Sequence, residues 1–254
     1  MQGEGSHNAD LKRHTLLDIR DDGRERILAE LTGDVLHDVL HRKKYEQVLL
    51  AQQTGTRIPA IVRRDEELLA HGMIPVGFSS PCYGSEGRLR IAAFARAEEI
   101  ARVTTPYDLL AREITPPRNS CTTALRFCRE SARVLGLVLG VWGSVALELY
   151  TGMQYTHDGS DLDLLVAAAP REILAAFLLK ITAIENHFGL RIDAEVDLAS
   201  GYGVHLKELF GSGRTILGKS QTDVVLLPRD QVLAELPVEK ARVPYREQFG
   251  GVHG

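Results

Sequence analysis

The chain predicts an α+β fold, with a small mixed sheet flanked by helices in its C-terminal half and a further α/β unit ahead of it. Two observations predict this. Beyond residue 119, stretches of helical spacing alternate with short apolar runs in the order helix, strand, helix, strand, helix, strand. Ahead of them, Ile114-Thr115-Pro116-Pro117-Arg118-Asn119 places consecutive prolines and a capping residue where one unit ends and the next helix begins. The units expected are therefore residues 11–114 and 119–254. With 254 residues, 44% of them hydrophobic, the chain can bury a real core.

In the first unit, Arg24 to Leu31, Asp34 to Leu50 and Thr105 to Glu113 read as helices, and Ile58 to Val62 and Met73 to Phe78 as short strands. Met1 to Asp10 is polar and is set aside from the fold. The second unit opens with a helix over Ser120 to Leu135, its inner stripe expected at Ala124, Phe127, Cys128 and Ala132 or Leu135, with Gly136 as its stop. Leu137 to Trp142 reads as a buried strand and Ser144 to Tyr150 as the helix after it, so Gly143 occupies the strand-to-helix turn. Thr151 to Ser160 is a polar return loop leading into Asp161-Leu162-Asp163-Leu164-Leu165-Val166. Pro170 suits the first turn of a helix running to about His187, which Gly189 ends. In the closing strand, Arg191 to Asp197, alternation puts Ile192, Ala194 and Val196 toward the core and Asp193, Glu195 and Asp197 on the other face.

These segments converge on one chemistry. Asp161 and Asp163, two apart on a strand, share a face, and oxygen-rich pairs of this kind hold Mg²⁺ or Mn²⁺. A Gly143-Ser144 turn at a helix start offers backbone amides and a hydroxyl to phosphate, with Ser160 beside the aspartates as a further donor. An adjacent strand bearing a third acid would complete the site. Glu195 is favoured for that role and Asp193 is next, because Asp197 lies nearer the turn at Ala199 to Gly203. A lone Asp-x-Asp is more often a solvated strand edge, but here it runs into Leu-Leu-Val, and neighbouring like charges entering a core call for a cation.

Gly-Ser, then Asp-x-Asp, then a further acid resembles the nucleotidyltransferase superfamily pattern. More closely, the run from Trp142 through Val166 resembles the malonate decarboxylase holo-acyl-carrier-protein synthases, the phosphoribosyl-dephospho-CoA transferases. Ile58-Pro59-Ala60-Ile61-Val62-Arg63-Arg64, Ile74-Pro75-Val76-Gly77 and Thr105-Pro106-Tyr107-Asp108-Leu109-Leu110 are similar to that family as well. The resemblance implies a Mg²⁺-dependent transferase with a nucleotidyltransferase-like sheet. It would take triphosphoribosyl-dephospho-CoA, join its α-phosphate to a serine of the malonate decarboxylase acyl carrier subunit, and release pyrophosphate. It also implies a metal role for Asp161 and Asp163 and a phosphate role for Gly143 and Ser144.

Cations for the triphosphate are sought in Arg63 with Arg64, at a strand end, and in Arg88 with Arg90, which share a face; Lys207 is a further candidate. Trp142 could stack on adenine or pack internally, His157 could order the metal loop, and Gly211-Ser212-Gly213-Arg214 has the composition of an anion nest or a turn. A net charge of −4 argues against a nucleic-acid-binding surface. Cys82, Cys121 and Cys128 have no metal-like or disulfide spacing, and no membrane-spanning run or signal peptide is present, so a cytoplasmic setting is expected. The alternatives are a nucleotidyltransferase acting on a small-molecule or RNA hydroxyl, and a catalytically silent triphosphate-binding scaffold.

Overall fold

The computed structural model describes residues 11–33, 39–51, 55–64, 73–81, 87–111 and 116–238. Cys82, Met1 to Asp10, Ile114 with Thr115, and the C-terminal end of the second unit lie outside the described residues. Two sheets organise the rest. The first is antiparallel throughout, in the order β4-β3-β2-β1-β5, from β1 (Leu16–Ile19), β2 (Ala60–Val62), β3 (Met73–Ser79), β4 (Arg90–Arg96) and β5 (Ile100–Thr104). Helices α1 (Asp21–Thr32) and α2 (Val39–Leu49) accompany it. Arg24, 1% exposed, joins these elements by donating to the carbonyls of Ile19, Leu49 and Ile58 at 2.8, 2.8 and 2.9 Å. Three separate chain segments thus meet on one buried guanidinium, each of whose three nitrogens donates to a backbone carbonyl.

The second sheet runs β11-β10-β9-β8-β7-β6, from β6 (Leu139–Val141), β7 (Leu162–Ala167), β8 (Ile192–Asp197), β9 (Gly203–His205), β10 (Thr215–Lys219) and β11 (Val224–Pro228). It is mixed, because β7 and β8 are parallel, joined by helix α6 (Arg171–Phe188), and its other pairs are antiparallel. Helix α3 (Pro106–Ala111) links the sheets and packs on β6. A Cβ on Gly140 would lie only 3.0 Å from Pro106 backbone and side chain, so a side chain there would push α3 off the strand. The remaining helices are α4 (Ser120–Val134), α5 (Gly143–Thr151), α7 (Leu206–Leu209) and α8 (Arg229–Ala234). The buried apolar side chains of both halves form one continuous core.

The alternation expected in the acidic strand is present: Ile192, Ala194 and Val196 are buried, as are Leu162, Leu164 and Val166 on β7. Helix α4 departs from expectation at one position. Cys121, Ala124, Leu125, Cys128 and Ala132 make its buried stripe, whereas Phe127 is 54% exposed and rests against Phe188 of α6, ring centroids 5.6 Å apart. The stripe runs through Cys121 and Leu125, which rotates Phe127 to the flank. Among the described residues no helix is long and apolar enough to cross a membrane.

Candidate active site

Pairing of β6 with β7 brings the glycine turn against the aspartates. The Trp142 amide donates to the Asp163 carbonyl at 3.1 Å, so Gly143, the next residue, lies beside the Asp163 side chain. Gly143 has a left-handed φ of +68°, and a Cβ there would overlap Asp163 Oδ2. Glycine is required twice over, by the backbone and by the carboxylate that fills the space. Ser144 follows in the first turn of α5, and its Oγ accepts from Arg88 Nη1 at 2.6 Å. Arg88 also donates to the Tyr155 carbonyl and lies over the Tyr155 ring, 5.4 Å from its centroid.

Arg88 comes from the first half of the chain, and it does not come alone. Arg63, Arg88 and Arg90 line one cleft of about 550 Å³ together with Gly143, Ser144 and Asp163. Its size suits part of a polar ligand. Arg64 is not part of that wall, consistent with neighbouring side chains pointing oppositely on an extended segment.

The acids are arranged by strand register. Asp161 is exposed just before β7, Asp163 is one pleat further in, and the parallel partner places Asp193 directly across from Asp163. Glu195 pairs instead with Leu165. Its carboxylate is 3% exposed as a residue and is held at both oxygens, by Arg13 Nη2 and Lys219 Nζ, each at 2.9 Å. The acid that faces Asp163 is therefore Asp193, and Glu195 anchors cations from the N-terminal segment and β10. Spacing along one strand does not reveal this, because it depends on which residue of the neighbour lies opposite.

Charge separates the acids further. Burial pushes the Asp163 carboxyl up to about 7, with help from the nearby Asp193, Asp161 and Glu195 charges. Its side chain makes no hydrogen bond among the described residues. Burial also raises Asp193, but bonds from His205 Nε2 at 3.0 Å and Arg191 Nη2 at 2.5 Å outweigh it and leave that carboxyl below its ordinary value. For Glu195 burial is likewise overcome, by His14, Arg13 and Lys219, and the group sits well below the usual carboxylate range. Burial, reinforced by the Asp163 charge, pushes the Cys121 thiol up to about 12, which makes it a structural thiol rather than a nucleophile.

A half-buried carboxyl that accepts no hydrogen bond from the described residues, facing a second carboxylate and following a third, is an oxygen-only donor set of the kind that fits a hard divalent cation. Among the described residues no three such groups already stand close enough to grip one. The physical reason is on hand: without a cation, like charges stay apart, and Asp193 is occupied by His205 and Arg191.

The other expected residues have more local roles. Ser160 Oγ accepts from the His157 amide at 3.0 Å, closing the turn that enters β7, and His157 Nδ1 accepts from the Gly159 amide at 3.1 Å. Lys207 Nζ donates to Glu185 of α6 at 2.6 Å, which directs it to that helix. Trp142 stacks on His14, centroids 4.0 Å apart, and its indole donates to the Leu164 carbonyl at 3.3 Å. Arg229 donates to the carbonyls of Gly213 and Leu209, so the Gly211–Gly213 stretch is a braced turn. Glu148 was not singled out by sequence, yet Glu148 Oε2 accepts from the Tyr155 and Thr156 amides at 2.9 and 2.7 Å and shapes the loop before Asp161. Arg13, His14 and His205 also escaped, since no motif marks them; the basic run Lys12-Arg13-His14 was the one available signal.

Comparison with known proteins agrees with this layout. Residues 12–106 match the family model for the phosphoribosyl-dephospho-CoA transferase MdcG N-terminal domain, and residues 109–230 the model for its C-terminal domain. A phosphoribosyl-dephospho-CoA transferase of Xanthomonas euvesicatoria pv. vesicatoria is 35% identical over 196 residues, 77% of this chain and 89% of the relative. One from Bradyrhizobium diazoefficiens is 32% identical over 186 residues, 73% of this chain and 80% of the relative. One from Klebsiella pneumoniae is 32% identical over 181 residues, 67% and 80% of the two chains. No solved structure matches significantly. With both domain models matched in order and such relatives covered over most of their length, the chain belongs to the phosphoribosyl-dephospho-CoA transferase MdcG family.

Proposed function

We propose that the chain transfers a phosphoribosyl-dephospho-CoA group from triphosphoribosyl-dephospho-CoA to a serine of the malonate decarboxylase acyl carrier protein, with Mg²⁺ or Mn²⁺ bound and pyrophosphate released. The observation that carries this reading is the shared cleft, where three arginines and the Gly143-Ser144 turn line one wall with the Asp163 carboxylate. The names of the relatives support phosphoribosyl-dephospho-CoA as the group transferred.

In this reading Arg63, Arg88 and Arg90 bind the triphosphate oxygens, with Ser144 and the α5 amides completing the cradle. Asp161, Asp163 and Asp193 hold the divalent cation, Asp193 in place of the Glu195 that spacing alone favoured. Glu195 holds Arg13 and Lys219 in place behind the site. When bound, the cation neutralises phosphate charge and acidifies the attacking hydroxyl. The serine oxygen forms a bond to the α-phosphorus as the bond from that phosphorus to the bridging oxygen breaks, and pyrophosphate leaves with the electron pair. One of the three aspartates accepts the serine proton. Most of the rate enhancement then comes from positioning and charge.

The test is reconstitution. Purified chain, donor, Mg²⁺ and carrier are expected to raise the carrier's mass by the prosthetic group and to release pyrophosphate, and Asp163→Asn is expected to stop both. A carrier of unchanged mass, or full transfer by Asp163→Asn, would refute the reading.

A further inference from the structure

Past His14 the active-site cleft gives way to a second cavity, of about 340 Å³, between the N-terminal segment and the turn joining β10 to β11. His14 lines both cavities. Three cations, Lys12, Arg13 and Lys219, line the second one. They bond to two carboxylates: Lys12 to Asp197 at 2.9 Å, and Arg13 and Lys219 both to Glu195. The excess is one positive charge. The ammonium-bearing side chains of Lys12 and Lys219 are 63% and 39% exposed, so both can receive a ligand.

The wall between the cavities is also under strain. Among the described residues His14 alone, apart from glycines, has a positive φ, +71°. Its Nε2 is buried without a hydrogen-bond partner, 3.8 Å from Glu195 Oε2. Across the same cavity Gln221 Nε2 donates to the Arg63 carbonyl at 2.6 Å, which fixes the amide's orientation, and Gln221 Oε1 is buried without a partner. Strained backbone and unpaired buried polar atoms gather where a protein handles a ligand.

The donor's size adds a further constraint. A triphosphate, two sugars, a diphosphate, a base and a pantetheine arm exceed what a cleft of about 550 Å³ can hold. We propose that the second cavity binds the nucleoside diphosphate portion of the donor, with Lys12 and Lys219 on its diphosphate, while the triphosphate occupies the arginine-lined cleft on the other side of His14. The identity of the donor rests on the transferase reading above; the cavity, its charge and its unpaired groups do not.

Calorimetry with two probes, dephospho-CoA and inorganic tripolyphosphate, separates the cavities. Combined Lys12→Ala and Lys219→Gln is expected to weaken dephospho-CoA binding roughly tenfold or more and to leave tripolyphosphate binding unchanged, whereas Arg88→Ala does the reverse. Lys12→Ala alone, a surface change that spares the fold, is expected to weaken dephospho-CoA in the same sense. The proposal is overturned if wild-type protein does not bind dephospho-CoA, if the lysine changes leave its affinity intact, or if both probes weaken in parallel. Failure of carrier labelling counts against the transferase reading, and failure of the dephospho-CoA comparison counts against this site alone.

Discussion

Removing the charge of Asp163 is expected to stabilise the metal-free protein while abolishing transfer. The carboxyl is pushed from its ordinary 3.8 to about 7 because burial and three neighbouring acids disfavour ionisation. In the unfolded chain it ionises near its ordinary value, so between the two values folding must take up a proton. Stability therefore falls as pH rises from about 4 to about 7 and levels off above that. At about 1.4 kcal/mol for each tenfold change, the whole shift amounts to at most about 4 kcal/mol; partial exposure brings the expected effect to about 2–4 kcal/mol. Asn carries no such charge. Urea denaturation of wild type and Asp163→Asn in the presence of a chelator, at intervals from pH 4 to 8, is expected to show the variant's advantage growing with pH and saturating near 7.5. An Asp163→Asn protein less stable than wild type at pH 7.5, or a pH-independent difference, would refute the reasoning. So would equal stabilisation of both proteins by added Mg²⁺, because the proposed ligand is missing from one.

Other perturbations probe other parts of the site. Gly143→Ala forces a side chain into left-handed backbone and onto Asp163 Oδ2, and is expected to abolish transfer and to cost at least about 1–2 kcal/mol by thermal denaturation. Glu195→Gln leaves Arg13 and Lys219 without their buried anion, with an expected loss of about 3–5 kcal/mol at neutral pH. Since Glu195 ionises well below its ordinary 4.5, that contribution is present above 4.5 and is lost as pH falls through the folded value, so the gap between wild type and variant closes in strong acid. Arg88→Ala is expected to raise the donor KM at least about tenfold with the circular dichroism spectrum unchanged. Phe127→Ala, on the exposed flank of α4, is expected to cost under about 1 kcal/mol, against about 3–5 kcal/mol for a phenylalanine deletion in a core, and chemical denaturation distinguishes the two.

Local pattern revealed the C-terminal half well. The alternation of Leu162, Leu164 and Val166 and of Ile192, Ala194 and Val196 marked two strands and their core faces, because burial of one face is a property of each strand alone. The glycine turn was legible for the same reason. In the first half, β4 and β5 left little trace. Alanines dominate the buried positions of β4, and three consecutive residues of β5 are exposed, so neither carries the apolar alternation of a half-buried strand. The hairpin of β10 and β11, whose second strand has no buried residue, also carries no clear sequence signal.

What the sequence by itself determined is the residue chemistry and its local presentation: an aspartate pair entering a core strand, a glycine-serine turn one helix upstream, and arginines in reserve. Tertiary structure alone decided that Asp193 rather than Glu195 faces Asp163, and that Arg63, Arg88 and Arg90 share a cleft with Gly143. It also brought Arg13, 182 residues away, onto Glu195. Strand register and long-range contacts arise from the packing of the whole core, and no window along the chain contains both partners.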